Sequence, residues 1–180
     1  MKFTNSLIKG KLLKRYKRFF ADIKVNNKII TAHCPNTGSM QGLLDEGTEV
    51  LVTEHDDPKR KLKFTLEIIK AKKRYVGVNT HRANKIVNHG LENKLISEFK
   101  NIKNIKPEFK FSDDTRFDFL CDSNLIEVKN VTLFRENDIA EFPDAVTSRG
   151  TKHLNMLIKS LKKGYKPYVL LLTQIQNINN

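Results

Sequence analysis

The hydrophobic period of this chain changes near Asn79, and that change limits the folds available to it. Before this point, short runs of alternating apolar and polar residues are separated by turn formers, and strands are predicted at 19–25, 28–33, 48–53 and 64–71. After it, stretches with helical spacing alternate with strand-like runs. The sequence therefore predicts two domains, a small β-barrel over residues 1–80 and an α/β domain over residues 81–180.

The number and length of the early strands indicate the kind of barrel. Many short strands joined by regular turns fit a five-stranded, OB-like barrel, a fold that commonly binds nucleic acid. The basic start of the chain could resemble a targeting peptide, but its pattern runs directly into a strand. We interpret it as part of the barrel.

The second part predicts the order helix, three strands, helix, strand. Apolar spacing favours a helix over 84–99, which Gly90 weakens or splits, and a strand that begins at Phe109. A clearer helix is predicted over 151–163, with Gly164 as its terminating residue. The apolar run at 168–172 predicts a buried strand.

A predicted hairpin between these helices carries two carboxylates and a lysine. Residues 116–120 and 125–129 read as strands, and a two-residue turn at Ser123-Asn124 would put Asp118 opposite Lys129 and diagonal to Glu127. The diagonal separation is roughly 7–8 Å, which a hydrated divalent metal can bridge. The opposite face would be apolar, with Phe119 and Cys121 against Val128 and Ile126.

Two carboxylates and a lysine can together bind a metal ion and act on a phosphate. Carboxylate oxygens of Asp118 and Glu127 suit Mg²⁺ or Mn²⁺, and Lys129 could orient a water or stabilise a phosphate oxyanion. The order Asp, turn, Glu-x-Lys resembles the core of the PD-(D/E)xK, or restriction-endonuclease-like, superfamily. Such short matches are common by chance, so the alternative is a surface hairpin in which Lys129 forms a salt bridge with a carboxylate.

The charge of the chain favours a polyanionic partner. Lys and Arg number 33 against 20 Asp and Glu, a net charge of +13. A competing explanation is a compositional bias of the encoding genome, because Lys, Asn and Ile are all abundant. Basic candidates for nucleic-acid contact are Arg15, Lys17 and Arg18 at the start, Lys59 and Arg60 after a turn, and Arg149, Lys152 and His153 near a helix start.

Two of these regions have structural alternatives. The loop that contains Asn36 and Thr37 could cradle a phosphate with its backbone N–H groups, or be a plain turn. Lys152 and His153 could contact a phosphate or belong to a solvated basic face. Asp144 could cap the following helix, although Thr147 and Ser148 compete for that role.

Several classes of protein are excluded by composition. Two cysteines make neither a disulfide framework nor a zinc site. No apolar run approaches 18 residues, so no membrane partner is expected. Reduced thiols indicate a cytoplasmic protein.

Longer segments carry a more specific resemblance. They are TAHCPNTGSM at 31–40, DPKRKL at 57–62, GVNT at 77–80, EVKNVTL at 127–133, and FPDAVT followed by RG and KH at 142–153. These segments resemble the sugar fermentation stimulation protein family, and the resemblance runs from about Leu12 to Gln174. It implies an OB-like domain, a PD-(D/E)xK-like domain, DNA binding, and a link to the regulation of sugar, especially maltose, metabolism.

The resemblance also implies site residues and shows two departures. It assigns metal binding to Asp118 and Glu127 and the catalytic lysine to Lys129. The superfamily often has a helix acid, and this chain has His89-Gly90 where relatives tend to have Glu-Ala; Glu92 and Glu98 are possible substitutes. Relatives continue beyond the position of Gln174, so a short family member or a truncated chain is expected.

The combined prediction is a DNA-binding protein with a Mg²⁺- or Mn²⁺-dependent nuclease-like site at Asp118, Glu127 and Lys129. The alternatives are a non-enzymatic DNA-binding transcriptional regulator and an RNA-processing nuclease, because OB barrels also accept RNA. The oligomeric state is left open by the sequence, with a dimer as one possibility.

Overall fold

A computed structural model describes residues 3–135, 139–145 and 147–177 of the chain. The chain forms two compact units, each assembled from more than one segment. The first consists of Met1–His81, Asn130–Ala145 and Thr173–Asn180, and the second of Arg82–Lys129 and Val146–Leu172.

The first unit is a closed barrel. Its strands are β1 Leu7–Tyr16, β2 Phe20–Val25, β3 Lys28–His33, β4 Glu49–Glu54, β5 Phe64–Ala71 and β6 Arg74–Gly77. The sheet order is β3-β2-β1-β4-β5-β6, and a parallel pairing of β3 with β5 closes it. Five strands, β1 to β5, make the closed ring, which confirms the OB-like barrel.

Alternating side chains explain why these segments curl around one core. Leu12, Ile23, Val50, Val52 and Leu66 are fully buried inside the barrel. The neighbouring strands β1 and β2 approach closely at Gly10. A Cβ atom at Gly10 would lie 2.6 Å from Ile23 Cγ2, so a side chain there would push the strands apart.

The second unit is a four-stranded sheet with a helix on each face. Its elements are α1 Thr80–Glu92, a short 3-10 turn Ser97–Phe99, β7 Ile105–Ser112, β8 Thr115–Cys121, β9 Asn124–Val131, α2 Ser148–Leu161 and β12 Lys166–Thr173. The two-residue strands β10 Leu133–Phe134 and β11 Ala140–Glu141 pair with each other outside this sheet. The sheet order is β12-β9-β8-β7, which confirms an α/β domain.

The two helices pack against neighbouring residues of β9 that point to opposite faces of the sheet. On α1, Ala83, Val87 and Leu91 belong to a core that includes Ile126. On α2, Leu157 belongs to a separate core with Leu125. Because successive strand residues point to opposite faces, the two helices cover opposite faces of the sheet.

The first of these helices is longer at its start than its apolar spacing predicts. Asn79 accepts a hydrogen bond from the backbone N–H of His81 through Oδ1 at 3.1 Å, so α1 begins at Thr80. Gly90 lies within α1, but α1 ends at Glu92 and not at residue 99 as predicted, and a separate 3-10 turn follows at Ser97–Phe99. Gly90 is buried, and a Cβ there would lie 3.3 Å from two carbon atoms of Ile96, so the glycine admits a close contact.

The second helix begins at Ser148 because Thr147 caps it. Thr147 Oγ1 accepts the N–H of Gly150 at 2.9 Å, so the cap is Thr147 and not Asp144. Gly164 follows the helix with φ of +81°, the left-handed conformation typical of a helix end.

One strand of this unit was predicted to be buried, and that prediction is wrong. The strand predicted at 168–172 exists, but β12 is the edge of the sheet, and Leu171 is 52% exposed. On α2, Leu157 is buried, whereas Leu154, Ile158 and Leu161 are exposed. The spacing of apolar residues predicts the strand and the apolar stripe of the helix. It does not predict which faces of these elements are covered by a neighbouring element.

Among the helices of the described residues, none combines the length and the apolar character needed to cross a lipid bilayer.

Candidate metal and nucleic-acid site

The carboxylate hairpin forms, but its turn lies one residue earlier in the chain than predicted. Phe119 pairs with Ile126, Leu120 with Leu125, and Cys121 with Asn124, so the turn is Asp122-Ser123. The predicted pairing of Asp118 with Lys129 is therefore wrong. The apolar face is as predicted in composition, since Phe119, Cys121, Ile126 and Val128 share one core.

A contact from outside the hairpin explains the position of the turn. Asp122 has φ of +52°, and its carboxylate accepts the backbone N–H groups of Lys103 and Asn104, each at 3.1 Å. Aspartate tolerates this left-handed conformation better than most residues. Asn124, predicted in the turn, instead begins β9 and donates through Nδ2 to Cys121 O at 2.8 Å.

Asp118 lies where the regular strand pairing stops. Its Oδ2 accepts the backbone N–H of Val128 at 2.7 Å, and its Oδ1 accepts Nδ2 of Asn84, on α1, at 2.7 Å. Burial and then the negative charge of Glu127 raise the pKa of Asp118, while these two hydrogen bonds act against the rise. The two hydrogen bonds thus hold the Asp118 carboxyl group in a fixed orientation, near the negative charge of Glu127.

Glu127 is more deeply buried and is held by two basic side chains. It is 4% exposed. Its Oε1 lies 2.5 Å from Lys129 Nζ and 2.7 Å from Nδ1 of His153 on α2. The salt bridge with Lys129 is the contact that the alternative interpretation of the hairpin expected, and it leaves open whether the lysine also serves chemistry.

The side chains of Asp118 and Glu127 fit a hard divalent cation by their donor chemistry. Two neighbouring carboxylates provide the negative charge and the oxygen ligands that Mg²⁺ prefers, and Mg²⁺ commonly takes only one or two protein carboxylates beside water and phosphate. Among the described residues, no group of three or more His, Cys, Asp or Glu side chains is arranged to hold a metal. Neither Glu92 nor Glu98 therefore completes a three-carboxylate site.

A pocket opens beside Asp118 on the side of α1. Its volume is about 330 Å³. Polar side chains of α1 face it, including Asn84 and Asn88, and the β7 and β8 side contributes Glu108, Asp118 and Phe119. Hydrogen-bonding amides next to an apolar ring suit a flat, polar group such as a nucleobase.

Asn84 was missed in the sequence and is the side chain that ties Asp118 to its helix. Its only sequence signal was its place on the predicted helix, four residues from Asn88 on the same face. The spacing gives no indication that this face meets the hairpin.

Two arginines that are candidates for nucleic-acid contact hold a loop of the barrel. Arg15 Nη2 donates to the carbonyl oxygens of Asn36 at 2.8 Å and Gly38 at 3.0 Å. Arg18 donates through Nε and Nη2 to Thr37 O at 3.0 and 2.7 Å. Both guanidinium groups therefore stabilise the 36–38 backbone in this structure.

The loop itself has the geometry of a turn. Asn36 is buried, and its Oδ1 accepts the N–H of Gly38 at 2.8 Å, so that N–H is already used within the loop. A Cβ at Gly38 would lie 3.0 Å from that oxygen and 3.2 Å from Asp144 Oδ2. Asp144, which does not cap α2, accepts the Ser39 hydroxyl at 3.0 Å. Thr37 remains exposed.

The other basic candidates divide between the two units. In the barrel unit, Lys17 and Lys59 are exposed, and Arg60 donates to Leu62 O and to Thr65 Oγ1. On α2, Arg149 is exposed, whereas Lys152 forms an exposed ion pair with Asp114 at 2.7 Å.

His153 differs from the other basic candidates. Its Nδ1 atom contacts the carboxylate of Glu127. The sequence predicted it as a phosphate contact, and the structure adds a position beside the candidate metal ligands.

The fold and the site define a class of protein. The chain combines an OB barrel with an α/β unit that carries an Asp, Glu-x-Lys hairpin. In comparisons with known families, residues 13–78 match the "SfsA N-terminal OB domain" and residues 81–180 match the "Sugar fermentation stimulation protein RE domain".

The chain belongs to the sugar fermentation stimulation protein family. A homolog from Pelagibacter ubique (strain HTCC1062) is 64% identical over 184 residues, which cover 100% of this chain and 79% of that protein. A homolog from Maricaulis maris (strain MCS10) is 41% identical over 180 residues, covering 97% of this chain and 77% of that protein.

A solved structure has the same fold. It is Pyrococcus furiosus SfsA in complex with Ca²⁺, which is 23% identical and matches with a TM-score of 0.87 over 99% of this chain and 77% of that one.

Proposed function

We propose that this protein binds DNA and hydrolyses its phosphodiester bonds with Mg²⁺ or Mn²⁺ at Asp118 and Glu127. The observation that carries the proposal is a pair of carboxylates, buried Glu127 and half-buried Asp118. The charge of Glu127 raises the pKa of Asp118, and Lys129 forms a salt bridge with Glu127. A link to sugar, especially maltose, metabolism would then operate through DNA.

Each side chain has a separate role in this proposal. Asp118 and Glu127 would be the metal ligands, and Asn84 and the N–H of Val128 would fix the orientation of the Asp118 carboxylate. Lys129 would orient the attacking water or stabilise the charge that develops on the phosphate. His153 would orient Glu127 through its 2.7 Å contact with Oε1.

The metal would neutralise phosphate charge and lower the pKa of the attacking water. The Pyrococcus furiosus relative was solved with Ca²⁺, another cation that takes oxygen ligands. The net charge of +13 would supply attraction to the phosphate backbone, independent of sequence.

One observation favours a second candidate, a non-enzymatic DNA-binding regulator. Glu127 Oε1 is already engaged by Lys129 and His153, and this arrangement satisfies a buried carboxylate without a metal. In that case the hairpin would be a structural polar cluster, and DNA binding would remain.

The test is one cleavage and binding experiment on the wild-type protein. Single- and double-stranded DNA and RNA are incubated with Mg²⁺, with Mn²⁺ and with a chelator, and binding of the same substrates is measured in parallel. Metal-dependent cleavage of DNA supports the proposed nuclease, and cleavage confined to RNA supports an RNA-processing nuclease. DNA binding with no cleavage of any substrate supports the regulator.

The affinity for metal should depend on Glu127. Glu127→Gln keeps the shape but removes one of two ligand charges, so the affinity for Mg²⁺ or Mn²⁺ should fall by about tenfold. Isothermal titration calorimetry on both proteins measures this difference. Glu141→Gln is the control, because Glu141 is bound to Arg135 in the other unit. Equal metal affinity in wild type and Glu127→Gln would remove the proposed site.

The dependence of DNA affinity on salt should identify exposed phosphate contacts. Each lost contact should reduce the slope of log affinity against log salt by roughly 0.9. We expect this for Lys17→Gln and Lys59→Gln, whose side chains are exposed, and not for Lys28→Gln, an exposed lysine outside the candidate set. Arg15 and Arg18 are unsuitable for this test, since their replacement would release the 36–38 loop. Unchanged slopes would leave Lys17 and Lys59 as solvated charges.

A further inference from the structure

Two of the segments that carry the family resemblance, 31–40 and 57–62, meet the residue that follows a third, His81, at one place in the barrel unit. His33 ends β3, Arg60 lies in the loop before β5, and His81 is the second residue of α1. The first two residues of α1 belong to the barrel unit, which extends to His81. Arg60 is a candidate for nucleic-acid contact, whereas neither histidine has a role in the carboxylate site.

The closing strands of the barrel bring His33 and Arg60 together. His33 is the partner of Thr65 in the parallel pairing of β3 with β5. Arg60 Nη2 donates to Thr65 Oγ1 at 2.8 Å, and Arg60 Nε donates to Leu62 O at 3.2 Å. Ala32 is fully buried in the barrel core, so the next side chain, His33, points away from that core. The guanidinium is thus fixed beside a half-buried imidazole.

His81 reaches the same place from the start of α1. Its backbone N–H donates to Asn79 Oδ1 at 3.1 Å, and Thr80 Oγ1 donates to Pro35 O at 2.8 Å. The second contact ties the helix start to the loop that follows His33. The first turn of α1 contains no acidic residue, so the positive end of the helix dipole is not offset there.

The three side chains repel one another when charged. The pKa of His33 is lowered first by burial and then by the positive charges of His81 and Arg60. A fold gains nothing from gathering like charges around a half-buried histidine, and an anion bound among them would convert the repulsion into attraction.

We propose that His33, Arg60 and His81 form a phosphate-binding site on the barrel unit, which takes a backbone phosphate of a nucleic-acid strand. Two N–H bonds of Arg60 fix its position on Leu62 O and Thr65 Oγ1, and the guanidinium keeps three further N–H bonds for a phosphate. The two imidazoles would add donors beside it. This site deepens the proposed nucleic-acid binding and rests on it for the source of the phosphate.

The first experiment observes the histidines of the wild-type protein. The chain has 5 histidines, so their ring proton signals can be followed by NMR across a pH titration. With inorganic phosphate and no divalent metal, and separately with a short single-stranded DNA, the signals of His33 and His81 should move. The pKa of His33 should rise by about 1, because a nearby anion favours the charged imidazole. The signals of His89, which lies in the other unit, should not move with inorganic phosphate.

The second experiment measures DNA affinity of variants. Arg60→Gln and His81→Gln should each weaken binding of single-stranded DNA by about tenfold, as the loss of one charge-assisted hydrogen bond would do. Arg116→Gln, an exposed arginine on β8, is the matched control and should bind as wild type does. Far-ultraviolet circular dichroism checks that each variant is folded.

The outcomes separate this site from the proposed function. If wild type binds DNA, the variants bind equally well and His33 does not respond to either ligand, the phosphate site is overturned and DNA binding stands. If His33 responds to inorganic phosphate but the protein binds no nucleic acid, the site is an anion site and the proposed function is overturned. If neither ligand is bound, both proposals fall.

Discussion

Lys129→Ala should lower the rate of Mg²⁺-dependent DNA cleavage by about 10²–10³ and change DNA affinity only modestly. The two effects differ because a lysine aimed at the attacking water or at the developing charge acts mainly in the transition state. Its Nζ lies 2.5 Å from Glu127 Oε1, so it is held beside the proposed metal ligand and is only partly accessible to solvent. Cleavage and binding must be measured side by side on wild type and variant.

Two further variants make the result specific. Lys106→Ala removes an exposed lysine from β7 in the same unit and should leave both activities unchanged. Asp118→Asn should also stop cleavage, and DNA affinity should hold or rise because a negative charge near phosphate is removed. If Lys129→Ala cleaves at the wild-type rate, the lysine serves only its salt bridge with Glu127, as the alternative interpretation of the hairpin states.

Local periodicity predicted β2 to β5 and the order of elements after Asn79, but it gave no bounds for β1 or β6. These strands and the order of helices and strands after Asn79 follow from alternation, turn formers and helical spacing. Closure of the barrel depends on Ala32 and His33 of β3 meeting Phe64 and Thr65 of β5, although β4 lies between these strands in the chain. Periodicity alone does not predict that pairing. A closed barrel was predicted from the number and length of the strands.

The geometry of the site depends on contacts that no short motif contains. The hairpin turn is fixed by Asp122 accepting N–H groups from Lys103 and Asn104, almost twenty residues away. Moving the turn by one residue on each strand shifts the pairing but keeps the alternation of faces, so the predicted apolar face survived the error. The partners Asn84 and His153 come from separate helices, and their packing is not encoded in the hairpin.

Basic residues show the same limitation more strongly. Arg15, Arg18 and Lys17 look equivalent in sequence, yet Arg15 and Arg18 hold the 36–38 loop while Lys17 is exposed. Net charge predicts attraction to polyanions. It does not separate side chains that are free to meet a phosphate from those already engaged by backbone carbonyl groups.

Phe117→Ala should destabilise the second unit by about 3–5 kcal/mol. Phe117 is fully buried in the core that joins β8 and β9 to α2, with Leu120, Leu125 and Leu157 as neighbours. Its ring centroid is 5.4 Å from that of Phe111 and 6.4 Å from that of His153. The substitution therefore leaves a cavity and removes the aromatic contact of the histidine that holds Glu127.

Urea unfolding of wild type, Phe117→Ala and Phe19→Ala measures this effect. Phe19 is 46% exposed, so the same substitution there should change stability by at most about 0.5 kcal/mol. If Phe117→Ala unfolds within about 1 kcal/mol of wild type, α2 does not pack on this face of the sheet as the structure has it. His153 would then lose its place beside Glu127. A large loss of stability would instead tie the position of His153 to a core residue that the charged motif does not contain.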